Sequence, residues 1–260
     1  MSGVTPFDAD LLARIEDASL NASAPPQQLW LDGWLLRLCP GKAKRARSIN
    51  PVAIGRRPLA EKLAEAEALY REAGLPLIVR MTPFSQPADI DGQLAAQGFQ
   101  AFDATRVMLR ALDPQTRLAS ARPELTLSAV SSPEFSETVG LWRGTPSEHR
   151  QAHARRMLGS PVPYTGFVVR REDEALACGQ FTLEGGLAGL YDVFTAPGAR
   201  GQGVASWLCA RLLDEAARRG ARTAYLQVDA ENAAARAVYH RLGFADGYGY
   251  HYSSRDPGAA

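Results

Sequence analysis

Apolar and polar residues alternate between two periods along this chain, and glycine or proline marks most of the changes. In the second half, Ala235, Val238, Tyr239 and Leu242 fall at i, i+3, i+4 and i+7, one apolar face of a helix. Gly243 stands where that helix needs a left-handed cap. Upstream, the pattern predicts a strand over 125–130, helices over 133–142 and 146–158, and strands over 167–170 and 175–184. Gly185-Gly186 then turns a hairpin into a strand over 187–195. A helix over 204–219, closed by Gly220, and a strand over 223–228 complete this half.

The first half predicts a helix over 9–20, a turn at Pro25-Pro26 and a buried strand between Gly33 and Pro40. That strand is placed to pair with 48–54 across a basic cluster, Lys42, Lys44, Arg45 and Arg47, read as a solvated hairpin tip. Next come a helix over 59–73 ended by Gly74, a strand over 77–81, a helix over 90–97 ended by Gly98-Phe99 and a strand through 105–109. This order repeats in the second half, where Gly243-Phe244 answers Gly98-Phe99. Residues 112–123, with two prolines and no sustained period, read as a linker between lobes at 1–111 and 124–260.

The most informative segment is Arg200-Gly201-Gln202-Gly203-Val204-Ala205, at a strand-to-helix junction. The first backbone N–H groups of a helix lack intrahelical partners and carry the positive end of its dipole, and glycine lets an anion approach them closely. A pyrophosphate suits such a junction, and a plain turn would also use two glycines. The loop is not G-x-x-x-x-G-K-[ST], and the next strand does not lead to the ribose-binding acid of a dinucleotide fold. It leads instead to Asn232, Ala235, Tyr239 and Gly243-Phe244.

Together these residues resemble the GNAT superfamily of acyl-CoA-dependent N-acyltransferases. The R/Q-x-x-G-x-G/A loop is matched by Arg200, Gly203 and Ala205, with Pro197 upstream, and the N-x-x-A, Y and G-F elements by Asn232, Ala235, Tyr239 and Gly243-Phe244. The resemblance covers about the last half of the chain. It implies an α/β fold of tandem GNAT type, with mixed, mostly antiparallel central sheets flanked by helices. In the N-terminal lobe the segment facing the loop is Ile54 to Leu59, with Arg57 at the glycine position and Leu94 at that of Tyr239, so that lobe reads as degenerate.

The resemblance further implies that Arg200, Gly201, Gln202, Gly203, Val204 and Ala205 hold the pyrophosphate of acetyl-CoA, the acyl donor. Val193, Phe194 and Thr195 would pair with the pantetheine arm, Asn232 would contact it, and the Tyr239 hydroxyl would return a proton to the thiolate. Tyr239 also lies on an apolar helix face, where packing alone would account for it. The attacking amine must be neutral, and Asp192 or Glu184 are the local candidates for its base. The expected activity is N-acetylation of an unidentified primary amine. A non-catalytic acyl-CoA sensor or scaffold is the alternative.

Composition narrows the partners. A net charge of +1 with interspersed signs argues against a nucleic-acid binder, and no apolar run approaches a membrane span. The 260-residue chain is long enough for two modest domains and is expected to be cytoplasmic, as a monomer or homodimer. Cys39, Cys178 and Cys209 are far apart without metal-ligand spacing, so neither a disulfide framework nor a metal is expected. His149 and His153 lie four apart on one helix face, without a third ligand, and together with Glu148 are placed to touch the substrate.

Overall fold

The computed structural model describes residues 7–40 and 43–258, so Lys42 of the basic cluster lies outside the described residues. The first half contains α1 (Ala9–Ala22), β1 (Gln28–Leu31), β2 (Trp34–Arg37), β3 (Ile49–Pro51), α2 (Leu59–Glu72), β4 (Val79–Met81), α3 (Ile90–Ala96) and β5 (Gln100–Ala111). The second contains β6 (Thr126–Val130), α4 (Ser132–Trp142), α5 (Ser147–Leu158), β7 (Tyr164–Arg171), β8 (Glu174–Glu184), β9 (Leu187–Thr195), α6 (Val204–Arg218), β10 (Thr223–Asp229), α7 (Ala233–Arg241) and β11 (Ala245–Ser254). Most predicted elements appear within a few residues, because their caps and periodicity are local.

The strands form one continuous eleven-stranded sheet in the order β1-β2-β3-β4-β11-β5-β10-β9-β8-β7-β6. It is mixed and mostly antiparallel, as expected, with parallel pairs at β3–β4 and β9–β10. The halves exchange strands: β5 lies between β10 and β11, and β11 lies between β4 and β5. Sequence reasoning missed β11, although Tyr248, Tyr250 and Tyr252 alternate along it and all are buried. The turn at Asp32-Gly33, with both φ values positive, also makes a β1–β2 hairpin that the apolar pattern had not suggested.

Helix α6 covers one face of the sheet's second half. Val204, Trp207, Leu208, Leu212 and Leu213 are buried there against Phe181, Leu190 and Leu226. At about 25 cal/mol per Å² of apolar surface, each such side chain contributes roughly 1.5–3 kcal/mol. The segment between β5 and β6 runs along this helix: the Asp214 carboxylate accepts from the Leu118 N–H at 2.9 Å, and the Trp207 indole donates to the Ser120 carbonyl at 3.0 Å.

The opposite face is covered at the junction of the halves by α1, whose Leu12, Ile15, Ala18 and Ala22 pack on Tyr191, Tyr225, Tyr248 and Tyr250. A polar bridge runs through this layer. Buried Glu16 of α1 accepts from both Nη groups of buried Arg80 on β4 and, at 2.6 Å, from the Tyr248 hydroxyl.

The basic cluster differs from the solvated tip expected. Lys44 pairs with Asp103, while the Arg45 guanidinium turns inward to Gln227 of β10 at 2.6 Å and the Tyr250 hydroxyl at 3.3 Å. Long basic side chains reach acceptors on distant strands, which a local pattern does not record.

Candidate active site

The parallel ladder of β9 and β10 runs from Leu187–Thr223 to Leu190–Leu226 and stops. Both strands continue, β9 to Thr195 and β10 to Asp229, without pairing to one another, so Val193, Phe194 and Thr195 present one edge that β10 leaves open. A bulge marks this departure. Between the Gln180–Tyr191 and Cys178–Phe194 pairs, Asp192 and Val193 stand opposite Gly179 alone, and Asp192 adopts φ +49°. A side chain at Gly179 would meet Leu212 Cδ1 at 2.9 Å, so α6 packs tightly behind the bulge.

Beyond β9 the chain passes Arg200 to α6. Gly201 and Gly203 take φ +75° and +73°, and Gly203 is the N-cap of the 15-residue helix. The loop is flanked by arginines. Arg200 Cζ lies 5.7 Å from the centre of the Phe194 ring, Arg122 Nη1 donates to the Gln202 carbonyl at 3.1 Å, and Arg171 Nη2 reaches Gln202 Oε1 at 3.4 Å. Arg122 comes from the inter-half segment and Arg171 from the end of β7, and neither was marked by sequence reasoning. A pyrophosphate fits this setting: open backbone donors at a helix N-terminus, two glycines and three guanidinium groups.

The corresponding junction in the first half is filled from within. The Asp32 carboxylate accepts from the Arg56 N–H at 2.9 Å and the Arg57 N–H at 2.8 Å, just ahead of α2. Those backbone bonds hold the Asp32 carboxyl below its ordinary range. An internal anion thus occupies the first-half junction, whereas among the described residues no side-chain cap meets the N-terminus of α6.

Asn232 and Tyr239 belong to α7 and its N-terminus, directly after β10. Asn232 is the N-cap of α7, its Oδ1 accepting from the Ala235 N–H at 3.0 Å. The Tyr239 ring packs edge-on against Phe244, with centroids 5.9 Å apart, and its hydroxyl makes no hydrogen bond among the described residues. Burial raises its pKa well above the usual phenol value, so it stays protonated at neutral pH.

Against Asp192 of β9 lies a cavity of about 340 Å³, lined by residues of both halves. Its walls include Cys39, Pro40, Ala43 and Ala46 from the first half, and Arg143, His149, His153, Arg156 and Asp192 from the second. Asp192 is tied into this wall. Oδ1 accepts from Arg143 at 2.8 Å and Oδ2 from Gln180 at 2.8 Å, while His153 Nε2 stands 3.4 Å from Oδ2 at ion-pair distance but poorly aligned for a hydrogen bond. Burial alone would push the Asp192 carboxyl up; the adjacent His153 and Arg143 outweigh it and hold the group far below the usual carboxylate range. Asp192 is therefore ionised at neutral pH and a poor proton acceptor.

Glu184, the other candidate base, lies away from this cavity. It sits at the hairpin end of β8, where Oε1 accepts from Asn21 of α1 at 2.7 Å. Cys178 and Cys209 are buried and their thiols are pushed up to about 12, which keeps them unreactive. Among the described residues no cluster of ligating side chains suits a metal ion, and no helix is long and apolar enough to cross a membrane.

A bulged strand edge, a parting parallel pair and a glycine-lined helix N-terminus lie together in the second half of the chain. Residues 133–244 match the Acetyltransferase (GNAT) family, and the chain carries a GNAT domain of N-acetyltransferase type. The chain is 28% identical over 222 residues to the uncharacterized N-acetyltransferase YobR of Bacillus subtilis, covering 84% of this chain and 88% of that protein. A GCN5-related N-acetyltransferase from Kribbella flavida has the same fold, with a TM-score of 0.69 at 16% identity over 95% of each chain. A tandem GNAT protein from the clavulanic acid biosynthesis pathway superposes with a TM-score of 0.63 at 15% identity, covering 79% of this chain and 73% of that one.

Proposed function

We propose that this protein transfers an acetyl group from acetyl-CoA to a primary amine, at one site in the C-terminal lobe. The observation that carries this reading is the parting of β9 and β10 with the Gly203 helix terminus at its mouth. Residues 124–260 form the catalytic lobe in this reading, 112–123 the linker, and 1–111 a degenerate lobe that walls the acceptor cavity. The Asp32 carboxylate at the first-half junction favours a single donor site.

The donor's pyrophosphate lies on Arg200 to Ala205, supported by Arg122 and Arg171. Its arm pairs with Val193, Phe194 and Thr195, and Asn232 offers its free amide N–H group to the same arm. A backbone N–H of the bulged edge polarises the thioester carbonyl. The amine nitrogen, entering from the cavity, bonds to the carbonyl carbon, and the carbon–sulfur bond breaks. Tyr239 gives its proton to the departing thiolate and recovers one from solvent. The proton lost by the amine passes to water. Asp192 fixes His153 and Arg143 in position rather than accepting the proton itself. No acyl-enzyme is needed, as the buried thiols are held protonated. The three free cysteines agree with a cytoplasmic setting.

Calorimetric titration with acetyl-CoA, then turnover on an amine panel, tests this directly. Tyr239→Phe should lower turnover by about tenfold or more with acetyl-CoA affinity and thermal midpoint nearly unchanged, since its hydroxyl bonds to no described residue. Unaltered turnover in that variant removes Tyr239 from the proton transfer. Acetyl-CoA binding with no acetylation of any amine would favour the sensor or scaffold instead.

A further inference from the structure

We infer that the acceptor is an amine that also carries an acid group, an amino acid or a close analogue, and that Arg156 is the residue that binds the acid. This rests on the N-acetyltransferase reading above, and it concerns the half of the site that the donor does not explain. The charges lining the cavity do not balance. Arg143 is paired with Asp192, the single carboxylate among the described residues of the wall. Arg156 lines the same cavity, is half-buried, and has no hydrogen bond or ion pair to any other described residue. A guanidinium that lines a cavity with no side-chain partner among the described residues has its donors open to an anion there, and its planar fork suits a carboxylate.

The placement along α5 agrees with this. His149, His153 and Arg156 fall at i, i+4 and i+7, on one face of the helix, and all line the cavity. Arg156 stands just under one turn beyond His153, about 4.5 Å along the axis. His153 in turn stands 3.4 Å from Asp192 on the bulged strand, where the thioester is to lie. An acid group on Arg156 therefore leaves the attacking nitrogen a few atoms away, beside His153. The remaining wall, formed by Cys39, Pro40, Ala43, Ala46, Thr145 and Ala152, is small and mostly apolar, with room for a modest side chain.

The test uses matched pairs: amino acids with α-, β- and ω-amino groups against their amides, each with acetyl-CoA, on the full chain. The acids should exceed their amides by about tenfold or more in kcat/KM. Arg156→Ala should remove that preference chiefly through KM, with turnover of the amides kept, and Arg156→Lys should restore part of it. Because Arg156 has no partner to lose, its variants should keep the parent thermal midpoint; Arg156→Gln, close in length, serves as a second variant. Amides or polyamines accepted as well as the acids would overturn the inference and leave the N-acetyltransferase reading standing. A binding arm separates the opposite case. N-acetyl amino acids and their amides are titrated calorimetrically into the parent and Arg156→Ala proteins, without turnover. Acid-selective binding lost in the variant supports the inference even if no amine is acetylated, and binding without that selectivity overturns it.

Discussion

Replacing Gly203 by glutamate should lower the affinity for acetyl-CoA by roughly 100-fold or more, close to 3 kcal/mol. Two effects act together. Gly203 has φ +73°, where a side-chain-bearing residue costs about 1–2 kcal/mol. The larger effect is electrostatic: the new Cβ would lie 3.8 Å from Arg122 Nη1, so the carboxylate would pair with that guanidinium and cap the open N–H groups of α6. The variant would then reproduce in the second half what Asp32 does in the first, where a carboxylate holds the Arg56 and Arg57 amides. Gly203→Ala separates the contributions, as it keeps the backbone strain without the charge and should weaken binding far less. Calorimetric titration of the three proteins reads the result. Equal affinity in the glutamate variant would reduce the loop to a turn.

Removing the Glu16 side chain should destabilise the fold by about 3–5 kcal/mol, because it leaves the Arg80 guanidinium buried and unpaired. The thermal midpoint of Glu16→Ala should fall by roughly 10 °C. Arg80 retains the Tyr250 ring, 4.0 Å from its Cζ, but a cation–π contact replaces only part of a bidentate ion pair. Replacing both partners with methionine should recover most of the loss, since the cost arises from one uncompensated charge.

The same pair makes a pH prediction. Burial alone would push the Glu16 carboxyl up; the charge and hydrogen bonds of Arg80, with the Tyr248 hydroxyl, outweigh it and bring the folded value below the ordinary one. A carboxylate depressed in the folded state stabilises it above the unfolded value of about 4.3, and that contribution is lost as pH falls through the lower folded value. Denaturant midpoints should therefore decline below about pH 4 in the parent and much less in the double methionine variant. Parallel acid profiles for the two proteins would show that other carboxylates govern acid unfolding.

The recognisable motif was local in origin. Glycines with positive φ at 201 and 203, the Asn232 cap and the apolar face through Tyr239 are set by a few neighbouring residues, so the chain displays them without its fold. The residues around them were hidden for the opposite reason. Arg122 seemed part of a featureless linker, and its approach to the Gln202 carbonyl depends on that linker running along α6. Asp192 was marked as a base, yet its ionised state comes from Arg143 and His153 on two other elements. Arg156 carried no signal beyond its helical phase with His149 and His153.

The sequence by itself determined most of the element order and the glycine-lined junction ahead of α6, with Arg57 in place of a glycine at the facing position of the first half, because turn chemistry and periodicity act over a few residues. Only the tertiary structure decided that β5 and β11 change places between the halves, that Asp32 fills the first junction and that Cys39, Pro40, Ala43 and Ala46 share a cavity with Asp192. Those outcomes depend on contacts between segments far apart in the chain, and such contacts are selected by the packing and charge balance of the whole sheet.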